Sequence, residues 1–283
     1  MLSLLCARAL QAGIETDYVR SLVRKHHLKP DDNSVESEQW PWPVRIYTMG
    51  SFQIVREDIP LEFPGKTPQK PLELLKVLIA FGGQNVPEER LTDALWPDAD
   101  GDLAYQSLEI TVRRLRHLLG EDICLRYGAR SLSVDRRQCW VDSLALENIV
   151  KRSGSISADR VAPKYREAAG LYRGHFLPSD SGCEWAVSRS ETLQSMMLRL
   201  IEEAGRHDEG QGEWENAAAC YQKGLDVDCL AEDLYRRLMI CYQKLGRRAE
   251  AIRLYQRCCS VLQTHLGIRP SPETEAVYAS LHQ

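Results

Sequence analysis

A spacing of 34 residues constrains this chain more than any other feature. Gly212 and Gly246 stand 34 apart, as do Ala217 and Ala251, and Tyr221 and Tyr255. A turn glycine, a small residue and a tyrosine at that period predict stacked helix pairs. The glycine turns the chain, the alanine lets helices cross closely, and the tyrosine fills the space between them. The stretch EAAGLYRGHFL holds Ala168 and Tyr172, each 49 before Ala217 and Tyr221, which predicts a degenerate earlier copy with an insertion. Residues 146–283 therefore read as helical throughout.

The rest of the chain follows a different pattern. With 283 residues, 43% of them hydrophobic, it is long enough for two domains with buried cores. The formal net charge of −4 excludes a generally basic nucleic-acid coat, so any contact with DNA must come from a local patch. Such a patch lies between residues 104 and 137, where seven arginines face four acids. The nine cysteines include no CxxC pair, and Cys258 and Cys259 are adjacent. That usage predicts reduced thiols and a cytoplasmic protein. No stretch approaches the roughly 18 apolar residues of a membrane span.

No chemistry of bond-making is legible. GxSxG and HExxH are absent, and GKTP at 65–68 lacks the spacing of a phosphate loop, so neither an enzyme nor a cofactor site is expected. His26 and His27 are adjacent and project apart from a helix, which argues against a metal site. Asp98, Asp100 and Asp102 alternate like the start of a calcium loop, but Leu103 holds the place of its glycine.

Taken in order, residues 2–12 and 15–28 read as two short helices in a stub, 1–29. Residues 30–43 read as a linker, with Trp40 and Trp42 capping the next domain. Over 44–145 the expected order is strands at 44–48, 52–56 and 59–63, then a helix from Pro71 to Phe81. A second helix runs from Pro87 to Trp96, an acidic loop follows, and a third helix spans Asp102–Gly120. A hairpin of 123–127 and 131–134, joined by Gly128-Ala129-Arg130, closes the domain. That order predicts a winged helix-turn-helix. In the third helix Leu108, Val112, Leu115 and Leu119 form one apolar stripe, with Asp102 as N-cap and Gly120 as stop. Gln106, Ile110, Arg113 and His117 point the other way, with Arg114 and Arg116 on the flanks. Amide, methyl and guanidinium groups suit base edges and phosphates in a major groove. Arg113 is the candidate guanine reader, Ile110 suits a thymine methyl and Gln106 an adenine. Arg114, Arg116 and His117 suit phosphates, and Arg126 and Arg130 are candidate wing contacts. Arg116 has a competing role as ion-pair partner of Glu121 or Asp122.

PLELLKVLIAFGGQNVPEERLTDALWPD, LEITVRRLRHLLG and LRYGARSLSVD resemble the OmpR-type winged helix, in the version carried by the antibiotic regulatory protein (SARP) family of transcriptional activators. GLYRGHFLP (170–178), Trp185 and HLGIRPSPET (265–274) resemble the bacterial transcriptional activator domain that follows it in that family. The resemblance implies a mainly α protein with a small β part, a winged helix-turn-helix domain at 44–145 and a tetratricopeptide-like repeat domain at 146–283. It implies double-stranded promoter DNA as ligand, protomers side by side on direct repeats, and contact with RNA polymerase through the acidic loop. The stub resembles the tail of a helical repeat array, as in larger regulators where an ATPase precedes the winged helix. A second reading stays open: an adaptor whose repeats bind a protein and whose winged helix has lost DNA. The charge of −4 and Glu109 beside the reading face favour it.

Overall fold

Val44 and Ile46 are buried and alternate with half-buried Arg45 and Tyr47 along β1 (Val44–Tyr47), so this strand has its apolar side on a core. It pairs antiparallel with β2 (Gln53–Arg56), which pairs with the two-residue β3 (Ile59–Pro60). In this computed structural model, residues 1–30, 37–63, 67–120, 124–153 and 161–281 are described. They form two compact units. The first comprises 1–148 and 173–191, the second 149–172 and 192–283.

Three helices follow the sheet of the first unit. α3 (Gln69–Ala80) buries Leu74, Leu75, Val77, Leu78 and Ile79 completely. It begins a little before the expected Pro71, which sits in the first turn where its missing N–H leaves no bond unmade. The short β4 (Val86–Pro87) leads into α4 (Glu88–Leu95), and α5 (Gly101–Leu119) comes next. β5 (Leu125–Gly128) and β6 (Ser131–Val134) form the hairpin, with β4 on the outer side of β6. Helix–helix–helix–hairpin is the winged helix-turn-helix order. Of the expected first hairpin strand, Ile123 lies outside the described residues.

Three features differ from the sequence expectation. β7 (Cys139–Val141) runs parallel to β1 and completes a four-stranded sheet. Its three residues are all buried, so no alternation marked it. The 30–43 stretch is more than a linker. Residues 31–36 lie outside the described part, but Trp40 and Trp42 are buried at 3% and 1% exposure, and Trp42 Nε1 donates to the Ser37 carbonyl at 2.8 Å. The stub's helices, α1 (Leu2–Gln11) and α2 (Thr16–Lys25), belong to this same unit. Arg24 of α2 ion-pairs with Asp58, which also takes Arg45 at 2.7 Å.

The third difference is that 172–183 is not helical, apart from one 3-10 turn at Pro178–Asp180. This strap belongs to the first unit from Arg173 onward. Phe176 bridges Met49, Leu177 N donates to the Thr48 carbonyl at 2.8 Å, and Asp180 pairs with Lys76 of α3 at 2.7 Å. Backbone donors in the strap are thereby satisfied without a helix.

The second unit is a helical repeat. α7 (Val161–Leu171) contributes to it along with α9 (Trp214–Val227), α10 (Glu232–Lys244), α11 (Arg248–Leu266) and α12 (Pro272–Ser280). Two long elements are divided: α6 (Asp142–Ser153) lies in it from Ile149, and α8 (Glu184–Gln211) from Thr192. Gly212 and Gly246 hold left-handed turns, at φ +77° and +73°, between α8 and α9 and between α10 and α11. Ala168, Ala217 and Ala251 are fully buried, as is Tyr221, and Tyr172 is nearly so. Tyr255 is half-buried and stacks on Tyr278 with ring centroids 3.9 Å apart. The chain is thus mainly α with a small β part, and its helical half is tetratricopeptide-like.

Gly205 on α8 allows the close crossing. A Cβ there would stand 2.4 Å from the ring of buried Tyr221, whose hydroxyl donates to Glu209 at 2.7 Å. The ring is held at both ends and cannot swing clear. Gly205→Ala is expected to destabilise by about 1–3 kcal/mol, measured as a lower urea midpoint.

Candidate nucleic-acid interface

α5 is seated by Ala104, Leu108, Val112, Leu115 and Leu119, all buried, with Thr111 beside them. Its N-cap is Asp100 rather than the expected Asp102, which falls in the first turn, where an acid still suits the helix dipole. Gly120 ends the helix at φ +96°, a left-handed cap that suits glycine.

The opposite face is open. Gln106, Ile110, Arg113, Arg114 and His117 are all exposed, with Ile110 at 54%. They share one side of the helix at i, i+4, i+7, i+8 and i+11. Ile110, Arg113, Arg114 and His117 line one shallow depression. Arg113 and Arg114 have no ion-pair partner among the described residues, so both guanidinium forks are available. Glu109 is exposed on the flank.

Arg116 departs from this group. It is half-buried, and its guanidinium reaches back toward the carbonyl of Leu125 at 3.5 Å. It ties α5 to the hairpin instead of facing outward. Its candidate partners Glu121 and Asp122 lie outside the described residues.

The hairpin turns through two residues, not three. Gly128 pairs with Ser131, and Ala129 and Arg130 both take left-handed φ, +52° and +55°. This is the twist of a type I′ turn, held here by two residues with side chains. Arg130 is at the tip, with its side chain 80% exposed. Arg126 is not. It sits within β5 opposite Ser133 and pairs with Asp135 at 2.8 Å, although 63% of its side chain stays exposed. Two further arginines approach the same elements. Arg56 of β2 lies beside the C-terminal end of α5, where a Cβ on Gly120 would be 3.5 Å from its side chain. Arg90 of α4 stacks on Phe81 with its guanidinium carbon 3.9 Å from the ring centre. Sequence reasoning passed over both, since neither lies in a run of basic residues.

Residues 141–282 match the family of the bacterial transcriptional activator domain, half of the chain. The chain belongs to that family. Two curated relatives carry the name regulatory protein AfsR. The one from Streptomyces griseus is 26% identical over 212 residues, 71% of this chain and 21% of that protein. The one from Streptomyces coelicolor is 26% identical over 206 residues, 70% and 20% respectively. The chain thus spans about a fifth of the length of these relatives. Among solved structures, Mycobacterium tuberculosis EmbR, in complex with a low-affinity phosphopeptide, aligns with a TM-score of 0.60 at 20% identity. That alignment covers 85% of this chain and 65% of the other, and it is a likeness of fold.

The bacterial transcriptional activator domain is therefore divided between the compact units. Its residues 141–148 and 173–191 fold in the first, and the repeat helices in the second. The first segment opens on Asp142, which is buried at 1% exposure. One carboxylate oxygen accepts from Thr48 N, Thr48 Oγ1 and Ser143 N at 2.8, 2.6 and 2.7 Å. The other accepts from Met49 N at 3.0 Å and shares Thr48 N, at 2.9 Å. Burial pushes this carboxyl above its ordinary value, against the pull of those donors.

Proposed function

We propose that the chain is a sequence-specific DNA-binding transcriptional activator, or the output part of one. In this reading α5 enters the major groove, the hairpin tip meets backbone or the adjacent minor groove, and the repeats serve self-association or regulation. The observation that carries it is the exposed face of α5, where Gln106, Ile110, Arg113, Arg114 and His117 stand on one side and Arg113 and Arg114 have no ion-pair partner among the described residues. The family and the AfsR name favour the same reading. Protomers side by side on a repeated site would add weak affinities by avidity. RNA polymerase is the partner that the family implies.

Fluorescence anisotropy of the chain against tiled duplexes from upstream of its own gene, at two salt concentrations, tests this. Binding to one or two tiles is expected, with affinity falling by about 0.9 log units per log unit of salt for each phosphate neutralised. Arg113→Ala is expected to cost about 1–3 kcal/mol and to relax preference at one base pair. If affinity and preference are unchanged, Arg113 does not read a base. The net charge of −4 and exposed Glu109 favour the adaptor reading instead. Absence of binding at low salt would select it.

A further inference from the structure

The wing arginine of this proposed interface already has an anionic partner inside the protein. Glu88 opens α4 and is 8% exposed. Its backbone N donates to the Arg130 carbonyl at 3.1 Å, and its carboxylate stands 3.7 Å from Arg130 Nε. Tyr127 feels the same carboxylate, and its titration is pushed up to about 12, by burial first and then by Glu88. The Arg130 guanidinium lies 5.5 Å from the ring centre of Tyr105, on the first turns of α5. The Glu88 carboxylate thus meets the hairpin tip, and Arg130 in turn links that tip to the start of α5. The left-handed backbone at Ala129 and Arg130 aims the arginine from a fixed base.

We infer that Glu88 is a positioning residue of the wing, which holds the hairpin tip at Arg130 and competes with a DNA phosphate for that arginine. This rests on the DNA-binding reading above. Arg130 is held loosely enough to be handed over: at 3.7 Å, with an 80% exposed side chain, its ion pair is weak. The backbone bond from Glu88 N to the Arg130 carbonyl does not involve the guanidinium and stays when that group leaves. A fixed negative charge beside the tip therefore costs affinity for every duplex equally, and it keeps the wing in register with α5.

Two measurements separate the parts of this inference. Glu88→Gln keeps the shape of the side chain and removes the charge. It is expected to tighten duplex binding about two- to fivefold at low salt, and the gain is expected to vanish in the Glu88→Gln/Arg130→Ala double variant. An unchanged or weaker affinity, or a gain that survives Arg130→Ala, would overturn the competition. Without DNA, Glu88→Ala is expected to raise amide hydrogen exchange across 125–134 about tenfold and to leave α3 unaffected. Unchanged exchange there would overturn the anchoring role. A wild-type chain that binds no duplex at low salt would sink the DNA reading and the competition together, and the exchange data alone would then decide the anchor.

Discussion

Asp142→Ala is expected to destabilise the protein by about 3–5 kcal/mol, since each buried donor left without a partner costs about 1–3 kcal/mol and relaxation recovers part of the sum. The carboxylate is the only acceptor that the structure gives the backbone N–H groups of Thr48 and Met49 among the described residues, and it also caps α6 through Ser143 N. Alanine would leave three buried amide donors and one hydroxyl to find new partners. Asparagine is not a neutral replacement. Its single oxygen can keep the bonds from Thr48 and Ser143, but its NH2 would then face the N–H of Met49, donor against donor. Asp142→Asn is therefore expected to cost less than alanine, about 1–3 kcal/mol. Urea denaturation of both variants checks the order. A loss below 1 kcal/mol for alanine would mean that water replaces the carboxylate, and that β1 and α6 are held by packing alone. Because Thr48 and Met49 also receive the strap at 176–177, the loss is expected to show in amide exchange at 173–180 as well as at α6.

What the sequence made legible and what it hid divide along a physical line. The amphipathic stripe of α5 and the 34-residue glycine–alanine–tyrosine spacing are local patterns, written in one stretch of chain, and both appear in the fold. The outward side of α5 was legible for the same reason: at 100° per residue, naming the buried face also names the exposed one. Contacts that depend on distant partners left no such trace. β7 is three buried residues whose partner is nearly a hundred positions away, so neither alternation nor a turn announced it. Arg116 fitted the outer face by spacing, yet it lies at the border where a long side chain can turn inward to the Leu125 carbonyl. Arg126 and Arg130 looked equivalent in LRYGARSL. The two-residue turn separates them, leaving one at the tip and one within a strand against Asp135. Glu88 carried no signal at all, because an acid at a helix start is ordinary. Only the fold shows that its carboxylate meets the arginine at the hairpin tip.

Glu147→Ala is expected to cost a similar amount, about 3–5 kcal/mol, because it leaves a buried arginine without its charge partner. Glu147 on α6 and Arg189 on α8 meet at 2.7 Å with side-chain exposures of 12% and 7%. In sequence both read as ordinary solvated helix positions, 42 residues apart. Their attraction has to offset the desolvation of two ions, so the pair adds little over two well-packed apolar residues, whereas breaking it on one side is expensive. That asymmetry gives the test. Glu147→Ala alone is expected to lower stability sharply, and Glu147→Leu/Arg189→Met together to recover most of the loss, with a coupling free energy of about 1–3 kcal/mol in a denaturation cycle. If the double variant is as unstable as the single, the site needs the charges themselves, and the packing argument fails. Both helices belong to the bacterial transcriptional activator domain, yet this pair lies in the unit that holds α3, α4, α5 and the hairpin. Together with Asp142 and the strap, it means that the domain's first segments are structural parts of the proposed DNA-reading unit. In the proposed reading, a variant that loosens them is expected to weaken DNA binding through stability, without touching the outward face of α5.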